Sequence, residues 1–148
     1  MPDGIAKFLP IYSEQLTQGL PKEQLLPVVE AIRKRVATIR DVFAQLDIRT
    51  VGGSLLIIYE GDIERATQGI ALPEEEDVGE EEDEDDDDDD MEEEDEENTK
   101  PGPPCLVKLI DFAHTKEVTG GGPDEGVLLG MDTTLKLLDG RIAQIKDS

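Results

Sequence analysis

Tryptophan is missing altogether, cysteine and histidine occur once each, and the only aromatic rings belong to Phe8, Phe43, Phe112, Tyr12 and Tyr59. A lone thiol, Cys105, excludes an intrachain disulfide and a thiolate metal cage, and it suits a reducing compartment. With so few rings, any core must be built from Leu, Ile and Val. No stretch approaches the roughly 20 apolar residues of a membrane span. The opening "MPDGIAKFLP" has no apolar run long enough for a signal peptide, so the expectation is a soluble intracellular protein. Basic residues are also missing from one long segment. Between Glu74 and Glu97, 21 of 24 residues are Asp or Glu and none is Lys or Arg. The net charge of −23 therefore belongs to this tract, because the rest of the chain holds 16 of the 37 acids against all 14 bases.

What is present reads as a small α+β domain interrupted by that tract. Ile5, Phe8, Leu9, Tyr12 and Leu16 recur at helical spacing over 3–19, with Asp3 as a candidate cap and Pro10 against one unbroken helix. Residues 22–46 carry the clearest helical pattern: Val28, Ile32, Val36, Ile39, Phe43 and Leu46 step by four or three, and Pro27 fits early in such a helix. Glu30, Arg33, Lys34, Arg40 and Asp41 are expected on its solvated face, although Arg33–Arg35 could instead meet phosphate. "TVGGSLLIIYEGD" (50–62) then has the length and bracketing glycines of a strand, with 63–72 a transition. A second strand is expected at "CLVKLIDF" (105–112), pairing antiparallel with the first. A flexible loop follows at 116–123, where Gly120–Gly122 would be a hinge. The chain closes in a helix capped by Asp124, striped by Val127, Leu128, Met131, Leu135 and Leu138, and stopped near Gly140. The run 73–104 cannot bury apolar surface and is read as a disordered insertion between the two strands. Its length costs little, because loop-closure entropy grows logarithmically.

The segment "KLIDFAHT" (108–115) raises a chemical question, because an apolar strand ends on a carboxylate. A strand fixes the backbone and exposes the group at its end, and Mg2+ favours one or two carboxylates plus phosphate oxygens. Protein kinases place the aspartate of Asp-Phe-Gly in this way, which makes Asp111 a candidate metal ligand. An aspartate can equally end a strand for turn reasons. His114 could donate to an anionic ligand at neutral pH, or be an ordinary surface residue. Ser54, behind Gly52 and Gly53, could offer a hydroxyl and free amides to phosphate, or be a plain turn serine.

"GGSLLIIYEGD", "KLIDFAHT" and "PDEGVLLGMDTTLKLL" occur in this order, and together they resemble the C-terminal half of the inositol polyphosphate kinase family. That family carries a Ser-Leu-Leu element, here Ser54-Leu55-Leu56, and an Ile-Asp-Phe element, here Ile110-Asp111-Phe112. Its late Asp-x-Gly element is matched by Asp124-Glu125-Gly126, running to Gly130. Asp111 to Thr115 and the acidic insertion are most similar to fungal-type inositol polyphosphate multikinases. The resemblance implies the C-terminal lobe of a fold distantly like that of protein kinases, with antiparallel strands packed against helices. It divides the chain into lobe segments 1–72 and 105–148 around the insertion 73–104. It also implies transfer of the ATP γ-phosphoryl group to an inositol polyphosphate hydroxyl, in the nucleus or cytoplasm. Asp111 would then be the catalytic metal ligand for Mg2+ and contact ATP, Ser54 would help shape the ATP site, and His114 would contact the inositol phosphate.

The family's upstream Pro-x-x-x-Asp-x-Lys-x-Gly element has no counterpart, since no Asp-x-Lys-x-Gly occurs in the chain. The expectation is a truncated form with little activity alone. The alternative is a non-catalytic interaction protein whose tract, Glu74 to Glu97, attracts a basic nuclear partner through salt-sensitive charge. The plainer reading of the tract is a solubilising spacer. Weak Ca2+ binding would accompany any such run without a defined site, and direct nucleic-acid binding is disfavoured by its sign.

Overall fold

The computed structural model describes residues 2–13, 19–72 and 102–148. The elements run α1 (Pro2–Phe8), α2 (Lys22–Phe43), β1 (Ile48–Thr50), β2 (Ser54–Tyr59), α3 (Ile63–Ala71), β3 (Cys105–Ile110), β4 (Thr115–Glu117) and α4 (Glu125–Asp147). The strands make two antiparallel pairs, β2 with β3 and β1 with β4. As the sequence predicts, β2 and β3 are partners, in a register from Ser54↔Ile110 to Tyr59↔Cys105. Of the disordered insertion expected at 73–104, residues 73–101 lie outside the described residues, whereas 102–104 are ordered against the fold, with the Glu60 N–H donating to the Pro104 carbonyl at 3.0 Å.

Helices α2 and α4 form the body. Leu25, Val28, Val29, Ile32 and Val36 of α2 are fully buried with Leu138 and Ile145 of α4. Each such side chain contributes about 2 kcal/mol of hydrophobic stabilisation. Pro27 occupies the second turn of α2, where it removes one main-chain bond but leaves the long buried stripe beyond it intact. Three ion pairs set the direction and register of the two helices: Glu30 with Lys146 at 3.4 Å, Arg33 with Asp139 at 2.9 Å, and Arg40 with Asp132 at 2.9 Å. Rising numbers on α2 meet falling numbers on α4, so the helices are antiparallel. The supposedly free outer face of α2 is thus partly an interhelical seam. Arg33 is committed to Asp139, whose hydrogen bond and charge raise the guanidinium pKa, and the charge of Arg35 opposes part of the upward shift that burial gives the Cys105 thiol.

The sheet pair β2–β3 packs on α2 with Leu55, Ile57, Tyr59, Cys105 and Val107 turned inward. Ser54, Leu56, Ile58 and Lys108 face outward, as the two-residue period of a strand requires. A second cluster of Phe43, Leu128 and Met131 receives Leu55, Leu109, Ile48 and Val127. It lies under the end of β2–β3 where Ser54 meets Ile110, and it gives that end a rigid floor.

Several local expectations need correction. The first helix ends at Phe8, and the chain turns through Pro10 to an Ile11↔Leu20 bridge. The "transition" 63–72 contains α3, which Asp62 caps by accepting from the Arg65 N–H at 2.9 Å. This helix buries the small residues Ala66 and Gly69 rather than a broad apolar stripe. A Cβ on Gly69 would lie 2.8 Å from the Gly102 carbonyl oxygen, so residues 102–104 run closely alongside α3. The first strand is split by Gly52, in the left-handed region at φ +79°, into β1 and β2. Helix α4 continues through Gly140 to Asp147. Glycine costs about 1 kcal/mol in a helix interior, and burial of Arg141 and Ile145 beyond it outweighs that penalty.

Candidate functional site

The candidate residues meet at one end of β2–β3. Because Ser54 pairs with Ile110, Ser54 opens β2 beside the point where β3 delivers Asp111. Both are exposed. Asp111 is the single non-glycine residue with positive φ among the described residues, at +69°. Aspartate tolerates the left-handed region better than most side chains, but the conformation still carries strain. The chain therefore turns sharply off the strand, and the carboxylate projects from the sheet end rather than continuing the ladder.

Residues 111–114 form a short bridge from β3 to β4, and 51–53 form the matching bridge from β1 to β2. The two connectors are tied together. Val51 N–H donates to the His114 carbonyl at 3.2 Å, and within the turn Thr115 N–H donates to the Phe112 carbonyl at 3.1 Å. His114 therefore stands on the same turn as Asp111, with its side chain exposed. At Gly53, a Cβ would sit 3.6 Å from the Thr50 side chain and 3.8 Å from the Ile110 carbonyl oxygen, so the approach to Ser54 is close. The three sequence-derived candidates, Ser54, Asp111 and His114, are thus brought onto one connected pair of turns.

The residues behind these turns escaped the sequence reading. Thr50, buried at 8% exposure, accepts a hydrogen bond at 2.8 Å from the Thr115 hydroxyl. Its N–H donates to Asp124 Oδ2 at 3.2 Å, while Asp124 Oδ1 accepts from Val127 N–H at 3.3 Å. The expected cap at Asp124 is present, and the same carboxylate also reaches β1. The expected flexible loop at 116–123 begins as β4 and is anchored. Arg49 donates from Nη1 to the Gly122 carbonyl at 2.8 Å and from Nη2 to that of Gly121 at 2.9 Å. Asp47 accepts from Gly120 N–H at 2.9 Å. No glycine hinge is needed to explain Gly120 and Gly122, whose φ values are +75° and +72°. Strands of three residues leave almost no periodic trace, which is why the β1–β4 pair and its ties were not legible.

The Asp111 carboxylate is exposed at this end, whereas both oxygens of the neighbouring Asp124 are taken by N–H donors. Among the described residues no group of three or more His, Cys, Asp or Glu is arranged to hold a metal ion. Mg2+ commonly binds through one or two carboxylates together with substrate phosphates and water rather than in an all-protein cage. Among the described residues, no helix is long and apolar enough to cross a membrane.

Two strand pairs on a two-helix body, with an aspartate thrown off a strand end beside the start of its partner strand, define a kinase-like α+β lobe. Comparison with solved structures gives the same architecture. The chain is similar to the inositol phosphate multikinase Ipk2 of S. cerevisiae, crystallised with ADP and Mn2+, at a TM-score of 0.62 and 23% identity. The match covers 95% of this chain and 45% of that one, so the chain spans less than half the length of the Ipk2 chain it matches. No curated protein matches the sequence. The family model for inositol polyphosphate kinases matches residues 3–139, and the chain belongs to that family.

Proposed function

We propose that this chain carries the metal and phosphate end of an ATP-dependent inositol polyphosphate kinase, which moves the γ-phosphoryl group to an inositol polyphosphate hydroxyl. The observation that carries the reading is Asp111, held on a left-handed backbone at the end of β3 beside Ser54. In the proposal, Asp111 holds Mg2+ against the ATP phosphates, Ser54 shapes the nucleotide side, and His114 meets the inositol phosphate. Bound Mg2+ would supply positive charge to the phosphate oxygens. The chain's own task is to keep these three groups in a fixed relation, since phosphoryl transfer depends mainly on positioning and charge stabilisation. Family membership and the ADP and Mn2+ held by the similar Ipk2 structure support a divalent metal with a nucleotide.

The 148 residues contain no Asp-x-Lys-x-Gly, so the isolated chain is expected to turn over inositol trisphosphate far more slowly than a relative that has it. Metal and nucleotide binding is the sharper test. Asp111→Asn keeps a side chain that tolerates the left-handed region and removes the charge. Titration with Mn2+ and ADP, followed by the electron paramagnetic resonance of free Mn2+, should show binding by the parent and at least tenfold weaker binding by the variant. Equal binding by both would refute the assignment of Asp111.

A second proposal rests on charge alone. The tract from Glu74 to Glu97 would attract a basic protein partner, with affinity falling as salt rises. Deleting 74–97 should abolish capture of a basic protein such as histone while leaving Mn2+–ADP binding unchanged. Capture that survives the deletion would remove this role.

A further inference from the structure

Asp124 is set up to do more than begin a helix. An N-cap needs one acceptor, and Asp62 shows the ordinary case by taking one N–H at the start of α3. Asp124 uses both oxygens on two different elements, Oδ1 on Val127 N–H in α4 and Oδ2 on Thr50 N–H in β1. From Thr50 the chain of contacts continues. The Thr115 hydroxyl donates to the Thr50 hydroxyl at 2.8 Å, and Thr115 closes the turn through its N–H to the Phe112 carbonyl.

The turn carrying Asp111 and His114 is slung between two supports. One support is β2–β3, a six-residue pairing with its inner face in the core. The other is β1–β4, only three residue pairs long. A pairing that short is not stable on its own and takes its position from whatever it is fastened to. The carboxylate of Asp124 fastens it to α4, which is anchored directly beyond by Leu128 and Met131 in the cluster beneath the site.

We infer that Asp124 is a positioning residue for the phosphate and metal end, fixing the Asp111–His114 turn by clamping Thr50, and through it Thr115, to the start of α4. This rests on the reading of Asp111 and His114 given above. The chemistry is specific to a carboxylate. Both partners are N–H donors, and asparagine has one acceptor oxygen and an NH2 group, so it can serve one partner and must present a donor to the other. Serine keeps the cap but cannot also reach β1. At Asp62, by contrast, one partner needs one acceptor, and asparagine caps as well as aspartate.

The chain's single histidine makes the turn directly visible. Imidazole 1H–15N correlations of His114 and Mn2+–ADP affinity should be recorded for the parent, Asp124→Asn, Asp124→Ser, Thr115→Val and Asp62→Asn. Asp124→Asn and Asp124→Ser are expected to shift the His114 signals and weaken Mn2+–ADP binding about tenfold, the scale of one hydrogen bond of ordinary net strength. Thr115→Val, which removes only the hydroxyl link, should move the same signals even if the Asp124 variants fail to fold. Asp62→Asn should leave both measurements at the parent's values. Unchanged His114 signals in Thr115→Val and in the folded Asp124 variants would overturn the inference, as would an equal response from Asp62→Asn. If the parent does not bind Mn2+–ADP, the assignment of Asp111 fails instead, and the His114 signals still decide the role of Asp124.

Discussion

Replacing Arg141 with methionine would keep most of the buried stem and delete the guanidinium. Arg141 is 7% exposed in the C-terminal half of α4. Its Nε and Nη2 donate to the Leu9 carbonyl at 3.1 and 2.7 Å, and Nη1 donates to Gln144 Oε1 at 3.2 Å. Leu9 is fully buried, so its carbonyl has the arginine fork as its partner. A hydrogen bond to a charged group contributes about 1.5–3 kcal/mol, and the orphaned acceptor retains its desolvation cost. The two N–H groups share one acceptor, so their effects do not simply add. Burial also pushes the Arg141 pKa down, and relief from that desolvation offsets part of the loss. A net destabilisation of about 2 kcal/mol follows. With a urea slope of about 2 kcal/mol/M for a small domain, the unfolding midpoint should fall by about 1 M with the slope unchanged. Arg141→Lys should fall between parent and methionine, because one ammonium lacks the planar fork. A midpoint within about 0.2 M of the parent in Arg141→Met would refute the reasoning, since it would mean that the Leu9 carbonyl loses nothing without its partner.

Gly69→Ala should destabilise by about 1–2 kcal/mol through overpacking against the Gly102 carbonyl, although the same change in an open helix would stabilise by about 0.5–1 kcal/mol; thermal melts of the variant check the sign. At Asp111, glycine should be more stable than alanine by about 1 kcal/mol, because only glycine adopts φ +69° freely, while both abolish Mn2+–ADP binding; equal melting temperatures would remove the claim of strain. Stability should also decline at alkaline pH. Burial raises the pKa of Cys105, against a smaller opposing effect of Arg35, and burial raises that of Tyr59. A raised pKa means that the folded state holds its proton when the unfolded state has released it, so this stability is complete below the unfolded pKa and lost as pH rises through the folded one. Urea midpoints should therefore fall above about pH 8.5, the ordinary thiol range, and Cys105→Ala should flatten the first part of that decline.

The long elements were legible because each repeats a simple pattern over many residues. Val28, Ile32 and Val36 announce α2, and Leu128, Met131 and Leu138 announce α4. The β2–β3 partnership followed from two apolar runs on either side of an acidic segment, and Ser54 and Asp111 lie together because the six-residue strands within those runs pair in full register. The misses share a cause. Helix α3 buries Ala66 and Gly69, small residues that carry little hydrophobic signal. Strands β1 and β4 are too short for a two-residue period to show. Arg33 and Arg40 look solvent-facing on α2 alone, and only the arrival of Asp139 and Asp132 from about a hundred residues away gives them partners. Double use of the Asp124 carboxylate is likewise a long-range contact, invisible beside an ordinary cap.

The two ends of the β2–β3 ladder have separate fates. Tyr59 and Cys105 pair where the chain departs toward and returns from the acidic segment, whereas Ser54 and Ile110 pair at the other extremity. Five strand steps of about 3.3 Å put roughly 17 Å between them. The two points where the described chain leaves for and returns from the acidic stretch, residues 72 and 102, are thus separated along the fold from the turn that carries Asp111. A fluorescent reporter or affinity handle spliced into that stretch would join the fold at residues 72 and 102, on the Tyr59–Cys105 side of the ladder rather than at the Asp111 turn.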